Sequence, residues 1–130
     1  MSTVVVGYVL KPEGEAALDA AIEEARRRGA ELVVVHSHRA RGDAEPDLTP
    51  VRTRLEASGL TFDLRQLERG LEASEDLVSI AESTDAELIV IGLRRRTPVG
   101  KLILGSNAQR VLLDAHCPVL AVKADETTAD

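Results

Sequence analysis

Aromatic side chains are nearly missing from this chain: one tyrosine, one phenylalanine and no tryptophan, 2% of 130 residues. Aliphatic residues must therefore build the core, and base recognition by aromatic stacking is argued against. Cysteine occurs once, which rules out an intrachain disulfide and a multi-cysteine metal site. Cys117 stands between His116 and Pro118 and reads as a small packing residue, since nothing near it marks a reactive thiol. Positive charge is also short. A net charge of −6 argues against general nucleic-acid binding, which needs a basic surface to meet the phosphates. The first seven residues lack a basic segment, and no apolar run reaches membrane-spanning length. A cytoplasmic protein with no nucleic-acid or membrane partner is expected. Familiar catalytic signatures are missing too: G-x-S-x-G, H-E-x-x-H, and the phosphate loop G-x-x-x-x-G-K-[ST], for which Gly100-Lys101 lacks the upstream glycine.

What is present suits a globular domain: 44% of residues are hydrophobic, and the length allows one domain with a real core. Thr3 to Tyr8 is valine-rich and reads as a buried strand. Leu10 to Gly14 reads as a turn, punctuated by Pro12 and Gly14. From Glu13 to Arg28 the residues Ala17, Leu18, Ala21, Ile22 and Ala25 recur at helical spacing, with glutamates early, arginines late and Gly29 as the stop. Glu31 to His36 is a second buried strand, and Ser37 to Glu45 a polar loop. Pro46 to Ser58 forms a second helix that Gly59 ends. Thr61 to Leu67 alternates apolar with polar, as an edge strand covered on one face does. A third helix covers about Ala73 to Ser83, with Leu77, Ile80 and Ala81 inward. A fourth strand and helix follow, then a fifth strand, Val119 to Val122. Residues 1–124 make the domain, and the polar tail 125–130 is expected to be disordered. Five strands alternating with four helices give a doubly wound α/β fold, a parallel sheet with helices on both faces.

The stretch from Glu87 to Asn107 carries the candidate chemistry. Leu88 to Ile91 is a buried strand that breaks at Gly92, where a loop starts. Arg94, Arg95 and Arg96 follow, then Gly100. Gly105-Ser106-Asn107 opens a helix whose inward face is expected to hold Ala108, Val111, Leu112 and Ala115. Free N–H groups at a helix start, together with the helix dipole, favour an anion there. Ser106 can cap the helix and offer its hydroxyl to a phosphate; a plain cap without ligand is the alternative. Gly92 reads either as a point of close backbone approach or as a turn glycine. The arginines read either as a phosphate clamp or as a solvated basic loop.

Gly92-x-x-Arg95, nine residues, then Gly105-Ser106 resembles the G-x-x-G-(nine residues)-G-S signature of the universal stress proteins, and Cys117 to Lys123 is similar to that family's last strand. The resemblance covers nearly the whole chain. It implies an adenine-nucleotide α-hydrolase-like sheet of order 3-2-1-4-5, which the chain pattern alone does not fix. In such a sheet the crevice lies at the carboxyl ends of strands one and four. That rule places Tyr8, Val9, His36, Ser37 and Gly92 at its rim.

The resemblance also shows departures. Arg95 stands where nucleotide-binding members have their second glycine, and a side chain of that size either clamps phosphates or fills their path. Counting back from Ala17-Leu18 puts Val9 where those members carry an aspartate toward the adenine end. His36 resembles a histidine found near the end of strand two in many members and reads as structural. His36 and His38 share a strand face but lack a third ligand, so no metal of its own is expected.

The resemblance implies a small stress-response regulator that binds ATP or AMP at the loop between strand four and helix four. Gly92, Arg95, Gly105, Ser106, Asn107, Ser37 and Val9 are the candidate binding residues. The alternative is a ligand-free dimeric interaction module of the same family. Catalysis such as nucleotide hydrolysis needs a base near the γ-phosphate, and the expected rim offers no obvious carboxylate. A homodimer through strand five is expected in every case.

Overall fold

The computed structural model of the protein describes residues 2–38, 47–68, 73–93 and 104–124. In chain order these form β1 (Thr3–Gly7), α1 (Pro12–Arg28), β2 (Glu31–His38), α2 (Thr49–Ser58), β3 (Phe62–Glu68), α3 (Ala73–Ser83), β4 (Leu88–Leu93), α4 (Ser106–Asp114) and β5 (Val119–Lys123). The five strands are parallel in the order β3-β2-β1-β4-β5, as the resemblance implied. The centre is β1, where Val5 pairs with Val33 on one side and Ile89 on the other.

Alternation along the central strands divides the core into two layers. Val4, Val6, Leu32, Val34, Leu88 and Val90 pack with α1 and α2. Val5, Val33, Val35, Ile89 and Ile91 pack with α3 and with Val111 of α4. Period-two alternation requires this division, and burial on both faces is why these strands read as unbroken aliphatic runs. Val4, Val5 and Val6 have no exposed surface, each such burial contributing about 1.5–3 kcal/mol.

Several boundaries differ from the sequence reading. Pro12 and Gly14 belong to the first turn of α1, not to a turn before it. Proline fits there because its missing N–H would have no helical partner. β2 continues through Ser37 to His38, because β3 supplies a ladder as far as His38 opposite Glu68. α2 begins at Thr49, and Pro46 lies outside the described residues. Gly29 and Gly59 do end their helices, each in the left-handed conformation that suits glycine. Leu112 is not inward: Val111 is the buried residue of α4, and Leu112 and Leu113 are exposed, the latter by 82%. A helix touching its neighbours along a narrow stripe buries one residue per turn or so, and position 112 lies about 100° around from 111. The tail 125–130 lies outside the described residues.

Candidate functional site at the ends of β1 and β4

The chain leaves β1 toward one face of the sheet and α4 covers the other, so the carboxyl ends of β1 and β4 open into a crevice. A cavity of about 160 Å³ lies there. Its apolar floor includes Val35, Leu77, Ile91 and Val111, and its polar groups come from Glu13, Ser37, Ser74 and Asn107. That volume is below the range of roughly 300–1,000 Å³ that usually encloses a whole small-molecule ligand. It suits one part of a nucleotide.

Four of the sequence candidates meet at this cavity: Val9, Ser37, Gly92 and Asn107. Tyr8 lines it as well, but its hydroxyl donates to the Glu15 carboxylate, which also accepts from Arg54 at 2.7 Å. Burial first, then the Glu15 hydrogen bond and charge, push the Tyr8 phenol well above its ordinary range. His36 is among the buried residues, its ring 6.3 Å from that of Tyr8, and it does not line the cavity. The Ser37 hydroxyl donates to Asp76 Oδ2 at 2.8 Å, which ties β2 to α3. Arg95, with its neighbours Arg94 and Arg96 and with Gly100, lies outside the described residues.

The glycines separate by physical cause. Gly92 does not begin a loop; it lies inside β4, paired with Val122, and the strand continues to Leu93. A Cβ at Gly92 would come 2.0 Å from the Glu13 carbonyl oxygen, and one at Gly14 would come 1.8 Å from the Val9 carbonyl oxygen. Both glycines let the first turn of α1 press onto the ends of β1 and β4. Gly105 differs: its φ is −74°, and no described atom lies within 4 Å of its Cβ position. Nothing described in the fold requires glycine there.

Gly105, not Ser106, occupies the N-cap of α4, and no described side chain caps that helix. The first helical bond runs from the Gln109 N–H to the Gly105 carbonyl at 3.0 Å. The N–H groups of Ser106, Asn107 and Ala108 precede it and have no helical acceptor. Asn107 and Ala108 line the cavity, while Gly105 and Ser106 lie exposed beside it. The start of α4 is thus a donor cluster at the positive end of a helix dipole.

Two polar residues of the cavity were missed from sequence. Glu13 reads as an ordinary acidic residue of a helix first turn, and Ser74 as one more polar residue near a helix start. Only the packing of α1 and α3 against the sheet brings them to the crevice, so a carboxylate does stand there. Among the described residues no group of three or more His, Cys, Asp or Glu side chains is placed to hold a metal.

The universal stress protein family model matches residues 1–123. The chain belongs to the universal stress protein family. A curated universal stress protein of Mycolicibacterium smegmatis is 47% identical over 128 residues, covering 92% of this chain and 96% of that protein. Among solved structures, a universal stress protein from Archaeoglobus fulgidus has a TM-score of 0.79 at 36% identity and covers 95% of this chain and 99% of its own. The structure of the universal stress protein from Archaeoglobus fulgidus in complex with dAMP has a TM-score of 0.69 at 31% identity, covering 95% and 98% of the two chains. Among the described residues no helix is long and apolar enough to cross a membrane.

Proposed function

We propose that the protein is a small cytoplasmic stress-response regulator that binds an adenine nucleotide, ATP or AMP, with the phosphates at the start of α4. The N-terminus of α4, which lies beside the cavity and which no described side chain caps, carries this reading. The surroundings of Gly105 support it: no described atom lies within 4 Å of its Cβ position, and a glycine leaves the backbone free for close approach of a ligand. The dAMP-bound relative supports the ligand class. No catalytic step is part of the proposal. The partner is a second copy of the chain, paired through β5, and no metal is required.

A thermal-shift titration with ATP, ADP, AMP and cyclic AMP at millimolar levels tests the nucleotide. Binding to the folded state contributes about 2.7 kcal/mol at a hundred times Kd, so a clear rise in Tm is expected. Gly105→Trp and Ser106→Glu should each abolish that rise while the variant stays folded, the first by bulk and the second by charge. Unchanged affinity in both folded variants would remove the phosphates from the start of α4.

A second reading, a dimeric interaction module without ligand, draws on Val9, which is 41% exposed and has no side-chain acceptor to offer a base or sugar. The double change Val9→Asp with Arg95→Gly separates the two. It should raise ATP affinity roughly tenfold or more, as one added hydrogen bond and relieved crowding contribute about 1–3 kcal/mol. Equal binding by parent and variant in calorimetry would show that neither position limits the site.

A further inference from the structure

Two residues that line the cavity each carry a buried polar side-chain atom with no hydrogen-bond partner among the described residues. One is Oε1 of Glu13; the other is Oγ of Ser74, a residue only 2% exposed. Buried side-chain polar atoms are satisfied in the large majority of cases, and an orphan carries a desolvation cost. Two orphans on one small cavity call for a shared cause.

Helix electrostatics does not supply it. An acidic residue in the first turn of α1 is favoured by the dipole wherever its side chain points. Glu15, two residues on, points to Tyr8 and Arg54. Glu13 instead lines the crevice, on a backbone held by the close contacts at Gly92 and Gly14. Among the described residues, none that lines the cavity is a lysine or arginine. A neutral donor such as a hydroxyl would satisfy the Glu13 carboxylate, whereas a phosphate is repelled from it.

We infer that Glu13 and Ser74 recognise the hydroxyl groups of the nucleotide's sugar, so that the crevice selects ribonucleotides over deoxy analogues. This rests on the nucleotide reading above. The small cavity takes one part of the ligand, and Asn107 and Ala108 at the start of α4 form one of its walls. With phosphate on the α4 amides, the part that follows covalently is the sugar; the amino group of adenine is farther along. A carboxylate oxygen accepts from a sugar hydroxyl, the same pairing by which an acidic residue reads ribose in dinucleotide folds. The Ser74 hydroxyl accepts from or donates to the adjacent one.

Calorimetry of the full chain with AMP, 2′-deoxy-AMP and 2′,3′-dideoxy-AMP tests the inference. The parent should bind in that order, with the dideoxy form at least roughly tenfold weaker than AMP. Glu13→Gln should weaken AMP by about tenfold and leave the dideoxy form unchanged. Ser74→Ala should also weaken AMP while Tm stays level or rises, because it removes a buried orphan. That opposition of sign is something a purely structural serine would not produce. Equal binding of AMP and dideoxy-AMP by the parent overturns the sugar contact and leaves the nucleotide reading standing. Tighter binding of all three by Glu13→Gln overturns it as well, marking Glu13 as a repelling charge. If the parent binds none of them, both readings fall.

Discussion

Gly14→Ala and Gly92→Ala are expected to be among the most damaging single-methyl changes in the chain. Helix propensity alone predicts the opposite sign at position 14, where alanine is better than glycine by about 1 kcal/mol in a helix interior. Sterics overrides it. The new Cβ would stand 1.8 Å from one backbone oxygen at Gly14 and 2.0 Å from another at Gly92. Neither neighbour is the end of a flexible side chain; relief requires lifting the first turn of α1 from β1 and β4. Forced overpacking typically costs about 1–3 kcal/mol, and backbone against backbone belongs at the upper end, about 3 kcal/mol. For a domain of this size that lowers Tm by roughly 10 °C. Gly105→Ala is the control: with φ at −74° and no described atom within 4 Å of its Cβ position, it should stay within about 0.5 kcal/mol. Urea denaturation of the three variants checks the series. A Gly14→Ala midpoint at or above that of the parent would show that α1 is not pressed against Val9.

The second large effect concerns assembly. Under the observed order β5 is an edge strand, and its residues Val119 to Val122 are only half-buried. The Ile89 N–H donates to the Pro118 carbonyl and the Ala124 N–H to the Leu93 carbonyl, which sets the alternation of the parallel ladder. By that alternation the N–H and C=O groups of Val119, Ala121 and Lys123 face away from β4. An apolar edge with outward backbone groups is a template for another chain. Leu112 and Leu113, exposed on the helix that leads into β5, add apolar surface near it in sequence. Antiparallel pairing of two β5 strands about a two-fold axis closes the edge on itself, and a homodimer is the expected state with or without nucleotide. Ala121→Pro should give monomers, because it deletes an outward donor and spares the bonds to β4. Leu120 is a poorer target, since it packs against the α1 side of the core and a charge there would damage the fold itself. Light scattering at micromolar concentration decides. A monomeric mass for the unmodified protein removes the β5 dimer.

The sequence by itself determined the elements and their alternation. Helix and strand are not confused where a short run such as Val4-Val5-Val6 or Leu88 to Ile91 is aliphatic at every position and rich in β-branched residues, because a strand buried on both faces needs that pattern. Gly29 and Gly59 marked helix ends through a local conformational need that glycine meets best. The start of α4 was legible through family signature and backbone chemistry, both of which are also local.

Tertiary structure decided the rest. It showed Gly14 and Gly92 to be contact points between α1 and two strand ends, where the sequence offered a turn at Gly14 and left Gly92 open between a close backbone approach and a turn. It brought Glu13 and Ser74 to one cavity from two helices far apart in the chain. It turned Leu112 outward and made Gly105 rather than Ser106 the cap of α4. The physical reason is common to all of these. Periodicity and turn chemistry report a segment's preference for one conformation, and they are satisfied within a few residues. A close approach, a shared cavity or the width of a buried stripe depends on how far one element stands from another, and that distance exists only once the crossovers have wrapped both faces of the sheet.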